Sequence, residues 1–201
     1  MKMNGSPEPH APKRADARRN RERLIAAATA AFSEHGADAP LEDIARRAGV
    51  GIGTLYRHFP TRLALQEGVF RTQVDAVCDR GRELACDPSP GDAFRAWLLV
   101  LSGYLATKRG LSRALIEQLG RDSELLSSCS RVMKETAAML LERAQQAGVV
   151  RADITSMDVM RLVHGVAVAT EQAPGETDRL LSLMLDGMRA PAVAGQPQPA
   201  T

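Results

Sequence analysis

The sequence predicts an all-α protein, and three observations carry the prediction. Between the two termini every segment spaces its apolar residues at helical period, and no convincing apolar–polar alternation of a strand appears. The apolar 44% of the 201 residues is mostly Ala, Leu and Val, with aromatics only 3%, a mixture that favours helices. Strong breakers, among them Asp87-Pro88-Ser89-Pro90-Gly91, Gly148 and Pro174-Gly175, cut the chain into nine helical stretches.

The elements follow in order. Residues 1–14 and 190–201 are rich in Pro, Gly and polar residues and read as disordered tails. A first helix spans roughly Asp16 to Glu34 and ends at His35-Gly36. Its apolar face is Leu24, Ile25, Ala28, Ala31 and Phe32. A short helix from Leu41 to Ala48 stops at Gly49, where a helix end often needs a left-handed residue. Val50 turns back toward the core. A second short helix runs from Ile52 to His58 and ends before Pro60, since the residue preceding a proline avoids the helical region. Leu41, Ile44, Ala45, Leu55 and Phe59 complete a three-helix core. Thr61 caps a long helix to about Leu84. Further helices span about Asp92–Thr107 and Leu111–Leu119, then run from Asp122 or Ser123 to Gln146, from Thr155 or Ser156 to about Gln172, and from about Glu176 to Met188.

Charge is uneven along this chain. The formal net charge is only +2. Residues 13–62 hold ten Lys or Arg against six Asp or Glu, whereas residues 63–201 hold fifteen against seventeen. A basic N-terminal part suits contact with phosphate, and the remainder does not. Three cysteines without CxxC spacing (Cys78, Cys86, Cys129) predict reduced thiols and no disulfide frame. No apolar run approaches the roughly 20 residues of a membrane span, and the N-terminus lacks a signal-peptide core, so a cytoplasmic protein is expected. The four histidines are scattered, so neither metal nor cofactor is expected. No dinucleotide loop, GxSxG elbow or HExxH occurs, which argues against an enzyme.

Residues 41–62, LEDIARRAGVGIGTLYRHFPTR, have the layout of a helix-turn-helix. Small residues open its second helix and let backbone approach a groove. Tyr56, Arg57 and His58 can donate to phosphate or base edges. The stretch Arg18–Arg62 resembles the DNA-binding domain of the TetR family of bacterial transcriptional regulators. The matching positions are Ile44-Ala45, Ala48-Gly49-Val50, Gly53-Thr54-Leu55-Tyr56 and His58-Phe59, with a basic Arg62 after them. Three positions depart from the common pattern. Pro40 stands where the family usually has a capping threonine, Gly51 replaces a serine or threonine cap, and Arg62 replaces a lysine.

On this resemblance the chain is a nine-helix regulator. A helix-turn-helix DNA-binding domain occupies 15–62, and a helical ligand-binding and dimerisation domain occupies 63–189. The implied partner is a double-stranded DNA operator. Thr54, Tyr56 and His58 are expected to grip the backbone, and Arg57 to read guanine through its fork of donors. Ile52 and Gly53 are expected against a thymine methyl, and Arg18, Arg19, Arg47 and Arg62 against phosphates. The basic run Lys13, Arg14, Arg18, Arg19, Arg21, Arg23 opposes the dipole at a helix start, which phosphate nearby would relieve.

The resemblance also implies a cavity for a small-molecule effector. Phe70, Val74, Phe94, Trp97, Leu101, Tyr104, Met133, Ala137 and Leu140 are its candidate lining; His164, alone on an apolar helix, reads first as a structural histidine and otherwise as a further ligand contact. Read by themselves, most of these positions are ordinary core. It implies a two-fold four-helix interface as well, with Val159, Val163, Val166, Leu180, Leu181, Met184, Leu185 and Met188 as candidates. The expected function is a homodimeric repressor released from a palindromic operator by a ligand. The alternatives are a DNA-binding regulator without ligand control and, further off, a helical carrier or enzyme.

Overall fold

The computed structural model describes residues 11–190. Among them the chain forms nine α-helices: α1 (Ala11–His35), α2 (Leu41–Arg47), α3 (Ile52–His58), α4 (Arg62–Leu84), α5 (Pro90–Thr107), α6 (Arg109–Leu119), α7 (Glu124–Gln146), α8 (Ser156–Ala169) and α9 (Thr177–Gly187). A 3₁₀ turn, Pro174–Glu176, precedes α9. No described helix is long and apolar enough to cross a membrane.

Two compact units share the chain. Among the described residues, the first gathers 11–72 together with Lys108–Asp122, and the second gathers Gln73–Thr107 with 123–190. These divisions differ from the expected 15–62 and 63–189. The first turns of α4 and the whole of α6 fall with the helix-turn-helix.

In the first unit the three-helix core forms from the expected residues. Leu24, Ile25, Ala28, Ala31 and Phe32 of α1 are buried, as are Leu41, Ile44, Ala45, Leu55 and Phe59. Gly49 takes φ +65°. Its N–H reaches the Arg46 carbonyl at 3.1 Å, and the Val50 N–H reaches Ala45 at 3.0 Å. This paired closure satisfies carbonyls that α2 would otherwise leave open, and only glycine adopts its left-handed step without strain. Val50 is half-buried. Thr61 caps α4 by accepting the Ala64 N–H at 3.0 Å. Leu111 and Leu115 of α6 are buried in the same unit.

In the second unit α5 is the central helix. Phe94, Trp97, Leu98 and Leu101 are buried, and α5 packs on α7, α8 and α9. Pro90 opens α5 at the first helical position, where its missing N–H costs nothing. Ser123 caps α7 through the Leu126 N–H at 3.4 Å. Thr155 and Asp158 form a reciprocal box at the start of α8, at 3.1 and 3.2 Å. These bonds hold the Asp158 carboxyl below its ordinary range, the Thr155 hydroxyl contributing most.

Some boundaries depart from expectation. Residues 11–14 of the expected N-terminal tail are helical, within α1; the rest of that tail lies outside the described residues. Of the expected C-terminal tail only Ala190 is described, and its N–H bonds the Val149 carbonyl at 3.1 Å. α8 stops at Ala169 instead of Gln172. There the Thr170 hydroxyl bonds back to Val166 at 3.0 Å and accepts from Thr177 at 3.1 Å, which turns the chain toward α9. Cys78 and Cys129 are buried thiols and Cys86 is exposed.

Candidate nucleic-acid interface

Leu55 is the buried anchor of α3. A seven-residue helix anchored at its middle must turn one face outward, and here that face holds Ile52, Gly53, Tyr56 and Arg57. The spacing i, i+1, i+4, i+5 makes them neighbours on one side. Tyr56 is 46% exposed and Ile52 37%, large fractions for apolar side chains on so small a helix. No side chain caps α2 at Pro40 or α3 at Gly51.

The candidate cations of α1, α2 and α3 are already engaged, to different degrees. Arg57 donates to the Thr54 hydroxyl at 2.8 Å, so the two lie side by side along α3. The bond is exposed, so water competes for it and the charged guanidinium can exchange the hydroxyl for a base edge. Thr54 and His58 are half-buried at the edges of the face. On α1, Arg18 faces Glu22 at 3.6 Å and Arg19 pairs with Asp16, all exposed. Exposed pairs of this type contribute little and leave the guanidinium available. Arg47 pairs with Glu34 at 2.7 Å and approaches His35 at 3.4 Å. Arg46 bonds Asp43 at 2.7 Å, and that bond holds the Asp43 carboxyl below its ordinary range.

Arg62 corrects an expectation. It turns into the protein and donates to the Ala39 carbonyl at 2.6 Å and the Ala37 carbonyl at 3.3 Å. Its half-buried guanidinium holds the loop between α1 and α2, where the sequence had it on phosphate. Gln66, one turn along α4, was not foreseen at all. Its only signal is a polar residue beside Leu65 and Val69 in an otherwise apolar stripe.

The expected effector lining separates into three. Val74, Phe94, Trp97, Leu101, Tyr104, Met133, Ala137 and Leu140 are buried in the second unit. Phe70 is buried in the first. His164 is exposed, a correction with a simple cause. α8 buries Val159, Val163 and Ala167, and the residue after Val163 lies about 100° around the helix from it. The Trp97 indole N–H donates to the Val77 carbonyl at 3.2 Å. Burial pushes the Tyr104 phenol and the Cys78 thiol upward. A groove of about 600 Å³ does occur in the second unit, bordered by Phe94, Arg95, Val149, Ser182, Leu185 and Arg189 among others. Phe94 is the one expected lining residue on it.

The expected dimer residues divide as well. Val159, Val163, Leu181 and Met188 are buried inside the second unit and are removed as interface candidates. One apolar stripe of each helix faces its own core, where burial removes it from water. Val166, Leu180, Met184 and Leu185 are half-buried. Leu162, Val168 and Leu183 are 44%, 46% and 56% exposed.

Comparison with known proteins agrees with this geometry. Residues 24–69 match the model of bacterial regulatory proteins of the tetR family. Residues 89–190 match the C-terminal domain of SbtR-like transcriptional regulators. A TetR transcriptional regulator from Streptomyces coelicolor is 38% identical and superposes with TM-score 0.76, covering 86% of this chain and 99% of its own. A TetR regulator from Mycobacterium vanbaalenii is 35% identical with TM-score 0.73, over 89% and 100%. An uncharacterised helix-turn-helix regulator of Mycobacterium bovis is 28% identical over 79% of this chain and 84% of its own. The chain belongs to the TetR family and is a DNA-binding transcriptional regulator.

Proposed function

We propose that the protein is a homodimeric repressor that seats two copies of α3 in successive major grooves of a palindromic operator and leaves it when a small molecule binds. The observation that carries the reading is the outward face Ile52, Gly53, Tyr56, Arg57, held by the buried Leu55. Arg57 reads a guanine through O6 and N7, and Ile52 meets a thymine methyl. Thr54, Tyr56, His58, Arg18, Arg19 and Arg47 fix register on phosphates.

One short helix spans too few base pairs for useful specificity, so a second copy is needed. Support for pairing comes from the outward stripes of the last two helices. Leu162, Gly165, Val166 and Ala169 follow one another at i, i+3, i+4, i+7 on α8. Leu180, Leu183, Met184 and Gly187 do the same on α9. Two adjacent helices with apolar stripes suit an isologous contact with the same pair on a second copy.

For the effector, the groove bordered by Phe94, Val149, Leu185, Arg95, Ser182 and Arg189 has the size and mixture of a small-molecule site. Release requires only that the ligand bind one arrangement of the dimer better than the other. The test is selection of bound duplexes from a random pool. The reading expects an inverted repeat with half-sites separated by about one helical turn, ~34 Å, or a multiple of it. Recovery of a single unrepeated motif, or of no motif, would overturn it.

A further inference from the structure

Gln66 is a side-chain amide only 1% exposed. A buried amide is tolerated where both of its ends find partners, and both do here. Its Nε2 donates to the Ala37 carbonyl at 2.9 Å. Its Oε1 accepts from Gln118 Nε2 at 3.3 Å. Ala37 sits in the loop that delivers the chain to α2, three residues before Pro40. Arg62 holds the same loop from one turn earlier on α4, through the Ala37 and Ala39 carbonyls. Gln118 lies at the far end of α6, and Lys108 at its near end stands 5.9 Å over the Phe70 ring of α4.

α6 is unusual by its place in the chain. It comes between α5 and α7, which belong to the second unit, yet it is part of the first. The chain therefore passes from one unit to the other three times, once within α4 and once on each side of α6. Two of these passages terminate on the helix that carries Gln118.

We infer that Gln66 and Gln118 are positioning residues for DNA reading: α6 sets Gln66 through Gln118, and Gln66 sets the α1–α2 loop through Ala37. A shift of α6 that breaks the Gln118 bond leaves a buried carbonyl oxygen unmet. Gln66 then re-pairs at the expense of Ala37, and the start of α2 moves with the loop. The consequence for DNA rests on the reading of α2 and α3 as the DNA-contacting pair. The relay itself does not.

The test uses Gln118→Ala, Gln66→Met and the double variant in the full chain. Gln118 is exposed, so its truncation leaves the fold intact. Hydrogen exchange on the free protein comes first. The Ala39 amide, which donates to Gly36 at 3.2 Å, should exchange about five-fold faster in Gln118→Ala, while amides of α8 do not change. Next, affinity for the selected duplex should fall about five-fold in Gln118→Ala, with Tm lowered by only about 2–4 °C, so that the protein stays folded at the assay temperature. The double variant should be no weaker than Gln66→Met alone, because the effect of Gln118 passes through Gln66. An unaltered Ala39 amide, additive losses, or an altered amide with unaltered duplex affinity would each overturn the inference. An accelerated amide in a protein that binds no duplex would overturn the DNA reading and leave the relay standing.

Discussion

Alanine at position 81 is a small change with a large expected effect. Gly81 lies inside α4, buried in the second unit. A Cβ there would fall well inside contact distance of the Thr136 methyl on α7 and 2.9 Å from Trp97 Nε1 on α5. That indole N–H is the one bonded to Val77 at 3.2 Å. Three effects compete. Forcing a methyl into a packed core costs about 1–3 kcal/mol. Losing the buried indole bond costs about 1–3 kcal/mol. Replacing glycine by alanine inside a helix returns about 1 kcal/mol. The net is a loss of about 3 kcal/mol, which lowers Tm by roughly 6–12 °C in a chain of this size. Trp97 is the sole tryptophan, so its fluorescence reports the packing directly during a melt. Adding Thr136→Ser removes the opposing methyl and should recover part of the loss. A Gly81→Ala protein that melts at or above the native Tm would show that α4, α5 and α7 are not packed this closely.

Two further outcomes follow from exposed positions. Gly53 is helical and has nothing within 4 Å of an added Cβ, so nothing within the protein requires glycine there. Gly53→Ala should therefore raise Tm slightly, by about 2–4 °C. If the groove approaches at this point, operator affinity should fall on the order of tenfold in band-shift titrations, and an unchanged affinity would remove Gly53 from the interface. Leu183→Glu places a charge on the outward stripe of α9. Losing two buried leucines across a two-fold contact weakens the dimer at least about 100-fold, which sedimentation at micromolar concentration would read as monomer. A dimer that persists would move the interface elsewhere.

The sequence made some of this legible and left other parts hidden, for physical reasons. The α2–α3 turn was readable because its determinants are local: Gly49 for a left-handed step, Pro60 for a stop, Leu55 and Phe59 for the core. Apolar periodicity also located the nine helices. Their ends were less sharp, since Thr170 and Thr177 end α8 through a bond between residues on different elements. Long-range polar partners were hidden altogether. The Gln66 bonds reach 29 residues back and 52 residues forward, and a helical wheel shows Gln66 only as an interruption. Arg62 was correctly seen as basic, but residue type does not say whether phosphate or a loop carbonyl will take its donors. On α8 and α9 two apolar stripes compete for one core. Val159, Val163 and Leu181 won the interior, leaving Leu162 and Leu183 outside. His164 followed from the same rotation of α8.

The most direct test of the account is the affinity of Arg57→Ala for the selected operator and for a random duplex at the same salt. If α3 reads bases through Arg57, operator affinity falls by about 1–3 kcal/mol while affinity for random DNA changes far less. Equal losses on both duplexes would make Arg57 a phosphate contact and contradict the assignment of α3 as the helix that reads sequence.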